Sequence, residues 1–395
     1  MTDDFTSGMM ALIRSALTAV PAALPENFNW PAAYQLADAH QILPLLYYGI
    51  LNSNCTVPQD QLRLFKQSVI TGAVLDQMQT AEFERISRAF ETNGIDYMPL
   101  KGINLKPLYP DRSIRIMSDT DLLIRTGQYA EIVPVMQSLG YTQTVESNHE
   151  YVWRKSDALT VELHKRLIPS YNKDYCSYYG DGWQLAHPVK PKSPQYQLSK
   201  EDQFIYLLTH FAKHYRDGGI GIRHLVDLWV YKNANPAMKP SYLRSELTKL
   251  QLTAFYDNIT DVLDVWFNGH TPGSKSNLIT KHIFESGAYG TNEFKALAIL
   301  LKSGKTGDSA KKKRRKAITR LLFLPCRQMA VRYPVLNKFP FLLPVFWMIR
   351  GVDTVLFHRD KIAKQKKRLN ALTPVNIDQY RRELHDVGLN FNFEE

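Results

Sequence analysis

Residues 115–126 read RIMSDTDLLIRT, two carboxylates with one residue between them at the head of an apolar run. Leu122, Leu123 and Ile124 suit a buried strand, and side chains of a strand alternate between its faces. Asp119 and Asp121 therefore point one way, and Thr120 and Leu122 the other. Two crowded carboxylates repel, and one tends to take up a proton. A hard divalent cation removes that conflict, since Mg²⁺ takes carboxylate oxygens together with substrate phosphates. In LTVELHKRL (159–167) the same alternation puts Thr160, Glu162 and His164 on one face and Val161 and Leu163 on the other. Glu162 is a candidate third carboxylate, and three acids on adjacent strands can hold two metal ions for phosphoryl-type chemistry. A plainer reading stays open, with Asp119 capping a turn, Asp121 starting a strand and Glu162 in a surface ion pair.

Outward from this stretch the pattern changes twice. Residues 61–93 carry apolar side chains at spacings of three and four with no proline, which predicts one long helix. GIDYMPLKG (94–102) reads as a strand ending in a turn, and INLKPLY (103–109) as a short helix. QYAEIVPVMQSLG (128–140) reads as a helix closed at Gly140, with Pro134 counting against its first half. HEYVWRKS (149–156) and 159–167 read as two further strands. The expected organisation is a helical region over 1–93, an α/β catalytic core over 94–168, a helical domain over 169–305 and a basic, apolar helical region over 306–395. In the helical domain, after a polar connection over 169–198, Ser199 is the expected N-cap of a helix. The fold class is α+β, a small mixed β-sheet core embedded in a largely helical protein.

The 395 residues are 44% hydrophobic and 11% aromatic, which excludes a disordered chain. A net charge of +11 favours an anionic partner: a nucleotide, a nucleic acid, a phosphorylated glycan or a membrane surface. Cys55, Cys176 and Cys326 lie far apart without metal-ligand spacing, and the first twenty residues lack a basic signal-peptide start, so a cytoplasmic location is expected. FPFLLPVFWMIRGVDTVLF (339–357) is apolar, but its two prolines, Arg350 and Asp353 argue against a membrane span.

LKGINLKPLYPDRSIRIMSDTDLLI (100–124), followed by VELHKRL (161–167), resembles the signature of the uncharacterised nucleotidyltransferases of the DNA polymerase β-like superfamily. The matching positions are Leu100, Lys101, Gly102, Leu108, Tyr109, Pro110, Arg115, Asp119, Asp121, Leu122, Leu123, Glu162, Leu163 and His164. The resemblance implies that Asp119 and Asp121 bind catalytic metals, Mg²⁺ or its substitute Mn²⁺, and that Glu162, where many members carry Asp, completes the set. Lys101 and Gly102 stand where the superfamily usually has Gly-Ser. With Arg115 and Ser118 they are expected to hold an NTP, Gly102 by letting the backbone approach the triphosphate and Lys101 by its charge. Arg115 either forks onto a phosphate or pairs with Asp111 or Asp119.

The implied reaction moves a nucleoside monophosphate from an NTP to RNA or tRNA, a sugar phosphate or a protein, with release of pyrophosphate; no DNA partner is expected. The alternatives are an inactive nucleotide- or RNA-binding protein and a membrane-associated accessory protein of surface-polysaccharide biosynthesis. LTHFAKHYRDGGIGIRHLVDLWVY (208–231) also resembles the family's helical part, and is expected to form the far wall of a nucleotide cleft. His210 and His214 share a helix face but lack a third zinc ligand; Arg223 and Asp227, also four apart, make an intrahelical ion pair or touch substrate. The six bases Lys311 to Lys316 grip nucleic-acid phosphates, meet a membrane or form a solvated loop. Peripheral contact with the inner face of the membrane through 311–357 is an accompanying expectation.

Overall fold

The computed structural model describes residues 4–303, 323–357 and 372–391, together with 312, 315, 316 and 319. Helices α1 (Asp4–Thr18), α2 (Trp30–Ala39) and α3 (Leu43–Leu51) lead into α4 (Gln59–Thr92), the long helix the sequence predicts. α4 buries Phe65, Gly72, Gln79, Glu82, Ile86 and Phe90, a seam at helical spacing along one side. Its last two turns cover a five-stranded sheet of order β1-β2-β5-β4-β3. The strands are β1 (Tyr97–Pro99), β2 (Thr120–Ile124), β3 (Thr142–Glu146), β4 (Glu150–Ser156) and β5 (Leu159–His164), with α5 (Gly102–Leu105) after β1 and α6 (Tyr129–Ser138) after β2. β2 and β5 run parallel, and the other pairs are antiparallel. The fold is α+β with a mixed sheet, as expected.

Alternation sorts the sheet's two faces. Leu122, Ile124, Val161, Leu163, Tyr151 and Trp153 pack with Ile86, Phe90, Ile132 and Met136 in a compact layer under α4 and α6. Leu123 belongs to a larger core on the opposite face, and that core extends from Met9 to Leu389. Pro134 lies inside α6 without ending it. Both Pro134 and Ala130, whose carbonyl loses its helical donor, are exposed, so water can satisfy that group.

The connection over 169–198 holds more structure than its composition suggests: helix α7 (Lys173–Tyr179) and a hairpin of β6 (Ala186–Pro188) and β7 (Tyr196–Leu198). Beyond it come α8 (Lys200–Asp217), capped by Ser199 as expected, α9 (Ile222–Ala234), α10 (Pro240–Lys249), α11 (Thr253–Asn268), α12 (Ser274–Ser286) and α13 (Asn292–Ser303). The C-terminal helix Pro374–Asp386 returns to the large core through Ile377, Tyr380 and Leu384. No helix among the described residues is long and apolar enough to cross a membrane. Half of the basic run Lys311 to Lys316, namely 311, 313 and 314, lies outside the described residues.

Candidate active site

The parallel pairing of β2 with β5 sets Asp121 beside Glu162 in register. Two residues on, His164 returns to the same face, and its Nε2 lies 2.6 Å from Asp121 Oδ1. Ligand atoms of Asp121, Glu162 and His164 all fall within 4.8 Å of one another. Asp119, just before β2, stands outside that tight group but lines the same cavity. On the other side of β2, the backbone N–H of Leu100 donates to the carbonyl of Asp121, which fixes the turn after β1 against the strand. Lys101 follows with φ 45° and ψ −113°, a backbone conformation glycine normally occupies. From there its ammonium donates to Asp121 Oδ1 at 3.2 Å.

The cavity, of about 370 Å³, gathers Lys101, Gly102, Arg115, Ser118, Asp119, Asp121 and Glu162, every residue the sequence singles out for chemistry. Its far wall comes from α8 and α9, through His210, His214, Arg223, His224 and Asp227. Tyr289 and Lys295 close the rim, with Tyr289 sharing a 2.7 Å hydrogen bond with Ser118.

Charge is unevenly distributed here. Burial pushes the Asp119 carboxyl up, and the neighbouring Asp121 adds to this. Burial acts on Asp121 in the same sense, but the Lys101 ammonium and the hydrogen bond from His164 overcome it and hold this carboxylate well below its usual range. Glu162 accepts no such hydrogen bond among the described residues, with His164 Nε2 3.6 Å from its carboxylate. Burial first, then Asp121, Asp119 and Glu150, push its carboxyl up to about 8. Lys101 is itself held above its ordinary value: burial opposes the charge, and Asp121 chiefly outweighs burial. The cluster thus has more carboxylate than its one ammonium can neutralise, with oxygen donors from Asp121 and Glu162 already converging. That donor set fits a hard divalent cation.

Arg115 departs from expectation. Instead of Asp111 or Asp119 it takes Asp227, with Nε at 3.1 Å from one carboxylate oxygen and Nη2 at 2.8 Å from the other. Tyr109 donates to the same carboxylate at 2.7 Å. Arg223 and Asp227 accordingly do not form the intrahelical pair; Arg223 donates instead to Gln41 and to the carbonyl of Ile116. The side chain prefers these because the Arg115 fork matches the carboxylate with two parallel bonds, which a helical neighbour four residues away does not reproduce. Gly102 is also required for a reason besides ligand approach, since a Cβ there would lie 2.6 Å from Met117 Sδ and 3.1 Å from Arg115 Nη1. His210 and His214 face each other with Nε2 atoms 3.1 Å apart, and no third ligand joins them among the described residues.

The profile of a family described as uncharacterised nucleotidyltransferase matches residues 26–268, well over half of the chain. The chain belongs to this family. The match spans α2 to α11 and includes every carboxylate of the cluster. Among solved structures, the chain is similar to the antibiotic-resistance factor ANT(2'')-Ia at 13% identity and a TM-score of 0.31, over 49% of this chain and 100% of that one. The fold assignment rests on the chain's own sheet and not on so distant a likeness. A comparison with the curated proteins finds no match.

Sequence reasoning assigned no role to His164, although it lies in the same alternation as Glu162 and orients Asp121. Tyr289 and Lys295 carried no signal at all, lying far along the chain in the turn between α12 and α13 and in α13.

Proposed function

We propose that the protein transfers a nucleoside monophosphate from an NTP to an acceptor hydroxyl, with Mg²⁺ as the physiological cation. The observation that supports this most is the convergence of Asp119, Asp121 and Glu162 with the Lys101–Gly102 turn on one cavity. Asp121 and Glu162, with Asp119 beside them, are the residues that would hold the cation. When bound it supplies positive charge to the triphosphate and to the attacking oxygen.

The chain's own groups do the rest. Lys101 leaves part of its hold on Asp121 to bear on the phosphates, and Ser118 at the rim offers a hydroxyl. The acceptor oxygen bonds to the α-phosphorus, the bond from that phosphorus to the α–β bridging oxygen breaks, and pyrophosphate departs. The acceptor's proton passes to the Glu162 carboxylate, which a bound cation would hold ionised until then and whose surroundings favour taking up the proton. The neutral imidazoles of His210, His214 and His224 form the wall opposite, where the acceptor enters; burial lowers all three below their ordinary values.

The test is pyrophosphate release from each NTP with and without Mg²⁺, alongside melting temperatures. Stabilisation that requires NTP and Mg²⁺ together is expected. Asp121→Asn should lower turnover by about 100-fold or more while leaving the fold intact. NTP-dependent stabilisation that survives Asp121→Asn and needs no cation would instead make the protein a nucleotide-binding module.

A further inference from the structure

Eleven Lys and Arg residues lie between Ser309 and Val352, and no Asp or Glu does. Since the whole chain has a formal net charge of +11, the rest of it is balanced and this one stretch carries the entire excess. The same stretch leaves apolar side chains outside its own packing. Met329, Ala330 and Leu336 form a small separate core, onto which Leu343, Phe346 and Trp347 pack. This uses one side of the helix Leu343–Phe357. Val345, Met348, Ile349 and Val352 recur at spacings of three and four on the other side, all exposed. Phe339 and Phe341 extend the stripe into the preceding turn; Phe341 is 74% exposed, Met348 65% and Val352 59%. Arg332 and Lys338, in the turns that lead to it, are exposed as well.

We propose that this face docks on an anionic lipid bilayer, with the Phe341–Val352 stripe in the headgroup–acyl boundary and Arg332 and Lys338 on lipid phosphates, the charge of the rest of the stretch adding to the attraction. Charge complementarity selects an anionic surface, and the stripe selects lipid over nucleic acid. RNA would satisfy the bases but leave six large apolar side chains in water. The helix has 15 residues, about 22 Å, which is less than the ~30 Å hydrocarbon core, so it lies along the surface. Docking is independent of the transfer chemistry and would bring the catalytic domain to acceptors held at a membrane.

Co-sedimentation of the full chain with vesicles tests this, using phosphatidylcholine alone and phosphatidylcholine mixed with phosphatidylglycerol, at low and high salt. Binding to the anionic vesicles only, weakened by salt, is expected. The triple variant Phe341→Ser, Met348→Ser, Val352→Ser should bind them more than about tenfold more weakly, with unchanged melting temperature and unchanged pyrophosphate release. Equal binding to neutral vesicles, no binding to either, or a triple variant that sediments like the wild type would each overturn the proposal. So would tight binding of single-stranded RNA, unaffected by the triple substitution, in a protein that ignores vesicles; the bases would then serve nucleic acid.

Discussion

Asp227 decides what Arg115 can do. The guanidinium and the carboxylate are both buried, joined by two hydrogen bonds, and Tyr109 supplies a third to the same carboxylate. Buried pairs of this kind are costly to break from one side, because the survivor keeps its charge without a partner. Arg115→Met should therefore destabilise the protein by about 3–5 kcal/mol in urea titrations. Arg115→Lys should recover little of that, since an ammonium cannot reproduce the fork. A different outcome is easy to recognise. If Arg115→Met keeps stability within about 0.5 kcal/mol and acts only by raising KM for the NTP, the guanidinium serves a phosphate and its link to Asp227 is incidental. The expected cost in stability follows from burial: the pair ties the segment before β2 to α9, and so fixes the distance between the two walls of the cavity.

At the scale of elements, the turn between β1 and α5 is tighter than its sequence suggests. Lys101 adopts positive φ, while Gly102 is needed for lack of room beside Met117 and Arg115. Gly102→Ala should cost about 1–3 kcal/mol, from overpacking against a buried methionine. Combined with Met117→Ala, the loss should be clearly smaller than the sum of the single losses, because the second change removes the atom the new Cβ meets. Strict additivity in a double-mutant cycle would refute the clash. The roles in this turn were half legible: lysine and glycine were placed at the cavity, but which of them bears the unusual backbone was not, since that depends on how the chain packs against β2, Met117 and Arg115 rather than on residue type. β4 and β5 could be read from alternation because one face of each is apolar, and β2 from the unbroken run Leu122 to Ile124, which is buried on both faces. β3 could not, as all five residues of TQTVE are exposed and leave no periodicity to find. The partners of Arg115 and Ser118 were hidden for another reason. Asp227 and Tyr289 lie more than a hundred residues away, and only the packing of α9 and the rim against the sheet brings them close.

For the molecule as a whole, pH links the large core to the site. Burial keeps several histidines neutral: His40 and His282 are lowered to about 4, His224 to about 3 and His149 to about 2, from an ordinary 6.5. Below pH 6.5 the unfolded chain takes up protons that the folded one refuses, so stability is complete above that value and is lost as pH falls toward about 4. Glu162 acts in the opposite sense. Its folded value of about 8 stands above the ordinary 4.5, so between these the native state holds a proton the unfolded chain has released, and stability declines as pH rises through that window. Without metal, these groups together place the optimum at about pH 7, with a steep acid limb from the histidines and a shallower alkaline limb from Glu162. Urea titrations between about pH 5 and pH 9 resolve both limbs. Glu162→Gln should flatten the alkaline limb and leave the acid one unchanged. Saturating Mg²⁺ should abolish the alkaline limb, since a cation bound by Glu162 displaces its proton, and the stabilisation it adds grows with pH as that proton becomes easier to lose. Stabilisation by Mg²⁺ that is the same at both ends of the range, or the same in Glu162→Gln as in the wild type, would remove Glu162 from the metal-binding set and leave Asp119 and Asp121 to hold the cation alone.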